Sequence, residues 1–189
     1  PDSDTDSHWR NIRELSGNNV MTTGIWYENL MRLVGTASSV SANAQVVVPH
    51  RRGWDGTRQQ MTIPDQLDII YSLSGGGTVN LSVTTVSGSF TPPTEIWIFG
   101  TEGTLRIESA GAREAPRVTG ARRGDDGMAE LTVPDDKVGS WRVEEEFINA
   151  IRGIERITMA PFETGVHYME WTEAVYRSAQ TGQAVYLPL

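Results

Sequence analysis

The chain has no cysteine. Disulfides, thiolate catalysis and Cys-ligated metals are excluded, while the compartment stays open on this ground, since any compartment tolerates a cysteine-free protein. Lysine is almost missing as well. Lys137 is the only one, in Pro134-Asp135-Asp136-Lys137. That segment reads as a solvated turn, a poor place for a Schiff-base or phosphate-binding amine. Histidine is scarce: His8, His50 and His167 lie far apart and form no ligand-spaced pair, so no metal site is expected. No nucleophile-elbow pattern supports a Ser-His-Asp triad. No apolar run is long enough to span a bilayer, and no charged, apolar, small-residue leader is visible, so a cytoplasmic protein without membrane partners is expected. Positive charge is in deficit, 16 Lys and Arg against 24 Asp and Glu for a net charge of −8, which disfavours nucleic acid. The pairs Arg51-Arg52 and Arg122-Arg123 are too small to reverse that balance.

What is present fits one domain of 189 residues with a core, 38% of its residues being hydrophobic. Residues 1–16 form a polar entry segment, with a frayed acidic start at Pro1 to Asp6 and loop chemistry through Ser16-Gly17-Asn18-Asn19. The opening at Pro1, without a methionine, suits an excised domain and equally a processed or trimmed terminus. A helix is expected from Val20 to Val34, with Tyr27, Leu30, Met31 and Val34 as its buried stripe, Trp26, Asn29 and Leu33 on the flank and Gly35 as its stop. Ser39 to Val48 reads as a strand and His50 to Gln60 as a polar loop. Asp68 to Leu73 and Thr78 to Val86 read as strands joined by a Ser74-Gly75-Gly76-Gly77 hairpin turn. In the second of these, Val79, Leu81 and Val83 share one face and Asn80, Ser82 and Thr84 the other. After a Pro92-Pro93 break come Thr94 to Phe99, a Gly100–Gly103 turn, and Thr104 to Glu108. Gly111 to Gly127 reads as a basic mobile loop or irregular hairpin, and Glu130 to Val133 as an edge strand. Helices are expected at Val143 to Ile151 and from Phe162 or Glu163 to Gln180, the latter burying Tyr168, Met169, Thr172, Tyr176 and Ala179. Val185 to Leu187 closes the chain as a strand. Sequential strands flanked by helices give α+β: an open-faced, mainly antiparallel sheet with helices on one face.

Neither glycine-rich turn leads from a strand into a helix, so neither supplies the helix N-terminus that binds pyrophosphate. His167 reads first as a packed or surface histidine and Trp26 first as core. Glu144-Glu145-Glu146 suits the first turn of a helix. From residue chemistry alone, the chain is an α+β domain with no self-sufficient active site.

Several segments in order resemble one family. Trp9-Arg10 with Glu14-Leu15-Ser16-Gly17, then Gly17 to Gly35, Pro64-Asp65-Gln66-Leu67-Asp68, Ile96-Trp97-Ile98-Phe99-Gly100-Thr101-Glu102-Gly103-Thr104-Leu105, Phe147 to Gly153 and the Glu163-to-Gly182 helix are similar to the C-terminal domain of the Gfo/Idh/MocA sugar and polyol oxidoreductases. The resemblance implies NAD or NADP held by a Rossmann domain that this chain lacks, and a small-molecule sugar or polyol substrate. It also implies a homo-oligomer formed through the sheet face of Asn80, Ser82 and Thr84. No cofactor is expected on this fragment alone, which should be inactive. Substrate contacts are expected from Trp9, Arg10, Asn18, Trp26, His167 and Tyr168.

The family's first helix in this domain usually carries an Asp-x-Gly-x-His or longer Asp/His pattern, the histidine serving as acid/base on the substrate hydroxyl. Anchored on Gly24, this chain has Thr22 at the Asp position, Trp26 at the His position and Asn29 where a further Asp often stands. None of the three is a general base near neutral pH. Three routes stay open: another residue such as His167 or His8, tyrosine or water with the nucleotide-domain lysine, or binding without chemistry. Trp26 could still stack on a sugar ring.

Overall fold

The computed structural model describes residues 6–18, 20–88, 94–109 and 115–189. The acidic start before Asp6, Asn19, the Pro92-Pro93 break and the first part of the Gly111 segment fall outside those residues. The chain divides into two compact units, Pro1–Gly88 with Val143–Leu189, and Ser89–Arg142.

In the first unit, α1 (Arg13–Ser16) and a 3-10 turn at Val20–Thr22 lead into α2 (Thr23–Val34). Strands β1 (Ala37–Gln45), β2 (His50–Arg52), β3 (Arg58–Gln60), β4 (Gln66–Leu73) and β5 (Thr78–Thr84) follow. The second unit holds β6 (Thr94–Gly100), β7 (Gly103–Ser109), β8 (Arg117–Arg122) and β9 (Ala129–Glu130). The chain returns to the first unit with α3 (Val143–Ile151), α4 (Phe162–Thr181) and β10 (Val185–Tyr186). Among the described residues the strands form three sheets, ordered β10-β1-β4-β5, β2-β3 and β6-β7-β8-β9. Every pairing between these strands is antiparallel. The α+β, antiparallel reading of the sequence therefore holds.

The core follows from the two-residue period of β4. Leu67, Ile69 and Tyr71 point to one side and are buried, while Asp68, Ile70 and Ser72 point to the other and are exposed. Val40 of β1 joins the buried side, and α2 and α4 cover it with Tyr27, Trp171, Ala174 and Val175. The Tyr27 ring stacks on Trp171 with centroids 4.5 Å apart, and Tyr71 meets both edge-on. Each buried aliphatic side chain contributes about 1.5–3 kcal/mol, so this cluster holds the unit together.

On α2, Tyr27 and Leu30 are buried and Met31 packs against the core, as the sequence period requires. On α4 the stripe is displaced from the expected one. Trp171, Thr172, Ala174, Val175 and Ser178 are buried, whereas Met169 is exposed and Tyr168, Tyr176 and Ala179 are half-buried. Trp171 sets the phase, because its bulk fills the centre of the core. Gly182 ends α4 in the left-handed conformation (φ 69°), which glycine adopts without steric cost.

Several strand boundaries differ from expectation. β1 stops at Gln45, and the β-branched run beyond it is a turn whose Val47 and Val48 N–H groups donate to the two oxygens of buried Asp65, at 2.6 and 3.0 Å. The expected polar loop at 50–60 contains the β2–β3 hairpin, registered His50 to Gln60. The Gly111–Gly127 segment contains a regular strand, β8, paired along β7. The edge strand is Ala129–Glu130, slightly earlier than expected. In β5 the expected alternation is present, Val79, Leu81 and Val83 half-buried and Asn80, Ser82 and Thr84 exposed.

Candidate functional site

The start of α2 is built against the backbone's preferences. Met21 (φ 49°, ψ 29°) and Thr22 (φ 58°, ψ 29°) are both left-handed, and they are the two non-glycine residues with positive φ among the described residues. A left-handed L-residue costs about 1–2 kcal/mol, and a β-branched one such as threonine is a true outlier. Strain of this kind persists where the surroundings over-determine it, and it concentrates at functional sites. The Thr22 hydroxyl donates to the Met21 carbonyl at 2.6 Å instead of capping the helix. Next come Thr23 and Gly24, both buried, then half-buried Trp26 and exposed Asn29. Thr22, Trp26 and Asn29 thus lie along the first two turns of one helix, with Tyr27 anchoring it to the core.

The segment leading in is held by a chain of polar contacts. Arg13 Nη1 donates to Asn18 Oδ1 at 3.3 Å, and Asn18 Nδ2 donates to Glu173 Oε2 on α4 at 2.8 Å. Arg177 Nε donates to the other Glu173 oxygen at 2.8 Å. Arg13 also donates to the Thr62 carbonyl at 3.3 Å and places its guanidinium 5.3 Å from the centre of the Tyr176 ring. The Arg177 hydrogen bond, and after it the Asn18 hydrogen bond, hold the Glu173 carboxyl below its usual range.

The remaining candidates stand in other places. Trp9 is exposed in a 3-10 turn, with the Arg10 guanidinium 4.3 Å above its ring. His8 caps that turn: its Nδ1 accepts from the Arg10 N–H at 3.3 Å, and its own N–H donates to Asn11 Oδ1. His167 is exposed near the start of α4, where it lines a shallow cavity of about 310 Å³ with Met31, Arg32, Thr36, Thr158, Met159 and Thr164. This cavity lies toward the end of α2, away from Thr22. Tyr168 is half-buried against the core. His50 Nδ1 lies 3.1 Å from Arg58 Nη2 across the β2–β3 hairpin. Lys137 is paired only loosely, 3.8 Å from Asp136. The sequence candidates therefore fall into three groups: Asn18, Thr22, Trp26 and Asn29 around the α2 entry, His8, Trp9 and Arg10 in the entry turn, and His167 with Tyr168 on α4.

Sequence reading missed Glu173, Glu146 and Asp65 as organising residues. Glu173 carried one visible signal, its four-residue spacing to Arg177 on the helix. Glu146 is buried in the first turn of α3 and accepts from the Thr158 N–H (2.9 Å), the Thr158 hydroxyl (2.7 Å) and the Met159 N–H (3.2 Å). It ties down one wall of the His167 cavity.

Neither glycine-rich turn is placed to hold a dinucleotide. Ser74–Gly77 joins antiparallel β4 to β5, and Gly100–Gly103 joins antiparallel β6 to β7. Neither turn leads into a helix whose N–H groups could take a pyrophosphate. Among the described residues no cluster of His, Asp or Glu is placed to hold a metal ion, and no helix is long and apolar enough to cross a membrane.

Comparison with known proteins finds the same fold in solved structures. A NAD-binding oxidoreductase from Klebsiella pneumoniae superposes with a TM-score of 0.81 at 18% identity, covering 100% of this chain and 56% of that one. Levoglucosan dehydrogenase in complex with NADH and L-sorbose gives 0.80 at 19% identity, covering 99% and 55%. The WlbA dehydrogenase of Bordetella pertussis, in complex with NADH and UDP-GlcNAcA, gives 0.72 at 22% identity, covering 97% and 50%. The chain thus spans about half the length of these structures. No curated protein matches it. The family described as "Oxidoreductase family, C-terminal alpha/beta domain" matches residues 2–187. With nearly its whole length inside that match, the chain belongs to the Gfo/Idh/MocA oxidoreductase family, as a C-terminal domain of that family.

Proposed function

We propose that this chain is the substrate-binding and oligomerisation domain of an NAD(P)-dependent oxidoreductase acting on a sugar, polyol or related hydroxy compound. The observation that carries the reading is the entry of α2. Two strained residues there present Thr22 and, one turn on, half-buried Trp26, at the positions where the family's acid/base pattern falls. A half-buried indole offers an apolar face for a sugar ring. Asn18 lies in the segment leading into α2, and Trp9 with Arg10 gives an exposed aromatic-cation pair. The sugar and NADH ligands of the structural neighbours support the substrate class and the cofactor.

The two compact units act together as one domain over residues 1–189, with 1–16 as its entry segment. NAD or NADP belongs to an upstream Rossmann domain of the parent protein, and this chain alone transfers no hydride. The parent assembles through open sheet faces, here Asn80, Ser82 and Thr84 of β5, and works in the cytoplasm. His167 contacts substrate only if the cavity it lines is part of the assembled site.

The second reading is a non-catalytic binding or assembly module on the same fold. It is favoured by Thr22, Trp26 and Asn29, none of which can act as a general base near neutral pH. The deciding experiment releases bound nucleotide from the parent protein by denaturation and identifies it by mass spectrometry. Recovered NAD or NADP supports the oxidoreductase. No recovered nucleotide, together with no binding on titration with either cofactor, supports the module. In an active parent Trp26→His is expected to keep or raise polyol oxidation. Zero activity in both forms across a full polyol screen counts for the module.

A further inference from the structure

We propose that Glu173 is a positioning residue, which through Asn18 clamps the left-handed entry of α2 and so fixes where Thr22 and Trp26 stand. The proposal rests on reading that entry as the substrate-contact region.

Two anchors flank the strained turn. Downstream, Thr23 is buried and Tyr27 is stacked on Trp171. Upstream, the anchor is Asn18, whose amide uses both ends: its oxygen accepts from Arg13 and its nitrogen donates to Glu173. Between them the chain turns through Met21 and Thr22, both held left-handed. Thr22 makes no capping bond to the helix; its hydroxyl bonds back to the Met21 carbonyl within the turn. Asn18 and Tyr27 hold the two ends of the segment that contains it. Both anchors end on α4, at Glu173 and Trp171, so one helix holds both ends of the segment.

Within this arrangement Glu173 has a role that Arg177 lacks. The Glu173–Arg177 pair lies within α4, an ordinary four-residue spacing on an exposed face. The Glu173–Asn18 bond joins residues 155 apart in sequence and is half-buried. Losing it leaves the Asn18 amide without its acceptor and frees the upstream end of the turn, which can then relax toward ordinary backbone and displace the first turn of α2.

The test is amide hydrogen exchange on this chain, comparing Glu173→Ala, Glu173→Gln, Asn18→Ala and Arg177→Ala with the unaltered sequence. The amides of Trp26 to Asn29 are read because they are the first to bond back to the start of α2. Glu173→Ala and Asn18→Ala are each expected to lower their protection about tenfold, the loss of one charge-assisted hydrogen bond. Leu67 to Tyr71 of β4 should keep theirs. Glu173→Gln retains an acceptor for Asn18 and should restore most of the protection. Arg177→Ala should change little, and the Asn18→Ala/Glu173→Ala double variant should lose no more than either single one. Unchanged protection in α2 overturns the proposal. So does an equal loss in α2 and β4, which would mark general destabilisation, or a Glu173→Gln profile matching Glu173→Ala. The readout needs neither nucleotide nor sugar. A parent that binds no cofactor would remove the enzymatic reading and leave this result standing, whereas a failed clamp would leave the cofactor result standing.

Discussion

Tyr27 and Tyr71 bring the same hydroxyl into the same core on different terms. Tyr27 Oη accepts the Ala37 N–H at 2.9 Å, whereas Tyr71 Oη is buried with no hydrogen-bond partner among the described residues. Burial pushes both hydroxyls above the ordinary tyrosine value, the Ala37 bond partly offsetting it for Tyr27, so both stay protonated at neutral pH. Tyr27→Phe would strand a buried N–H and is expected to cost about 1–3 kcal/mol. Tyr71→Phe removes an unpaired polar atom and is expected to be neutral or slightly stabilising. Urea denaturation of the two variants checks the contrast, and equal losses would contradict it. Glu173 adds a pH effect of definite sign. Its folded-state carboxyl is held low by Arg177 and Asn18, so its stabilising contribution is complete above the unfolded value of about 4.3 and is lost as pH falls through the lower folded value. Because the side chain is one-third exposed, the contribution is of the small size typical of surface pairs. Denaturation midpoints measured between neutral pH and acid should converge for Glu173→Gln and the unaltered chain at the acid end.

At the scale of elements, two buried carboxylates fasten loops that have no repetitive backbone bonding of their own. Asp65 holds the turn after β1 through Val47 and Val48, and Glu146 holds the segment before α4 through Thr158 and Met159. Asp65→Ala and Glu146→Ala are each expected to cost about 1–3 kcal/mol for the donors left without acceptors. Hydrogen exchange should rise first at Val47 and Val48 in one variant and at Thr158 and Met159 in the other; exchange rising at the same amides in both would refute separate roles. These loops also show what a sequence can reveal. The α2 stripe and the β5 alternation were legible because burial on one face imposes a period on residue type. Val46 to Val48 misled, because β-branched residues favour extended backbone whether or not a strand pairs with them. The β2–β3 hairpin was hidden because His50-Arg51-Arg52 and Arg58-Gln59-Gln60 carry no apolar alternation; the backbone ladder alone defines it. At the site, Thr22, Trp26 and Asn29 could be placed by pattern. The left-handed turn before them could not, since Met and Thr do not announce positive φ, nor could the Asn18 partner, which lies on another helix.

At the scale of the whole molecule, the question is where hydride chemistry could reside. A dinucleotide needs backbone N–H groups gathered at a helix start behind a strand. This chain spends its glycine-rich turns on antiparallel hairpins instead. In the β6–β7 turn the choice is forced, because a side chain on Gly103 would collide with the Ala121 carbonyl of the neighbouring strand. The long helix α4 begins after Pro161 with no side-chain cap and follows a loop, not a strand. What the chain does offer is an apolar core under α2 and α4, a strained entry that displays Thr22 and Trp26, and an open polar face on β5. On the proposed reading these parts serve substrate binding, and the nucleotide is held by the upstream domain of the parent protein. Titrating this chain with NADH, followed by nicotinamide fluorescence and by calorimetry, should therefore give no saturable signal, and mixing it with NAD and levoglucosan should produce no NADH absorbance. The same titration on the parent protein should saturate. Saturable NADH binding by this chain alone would mean that a nucleotide site exists among its own residues, and the division of labour argued from the hairpin turns would have to be abandoned.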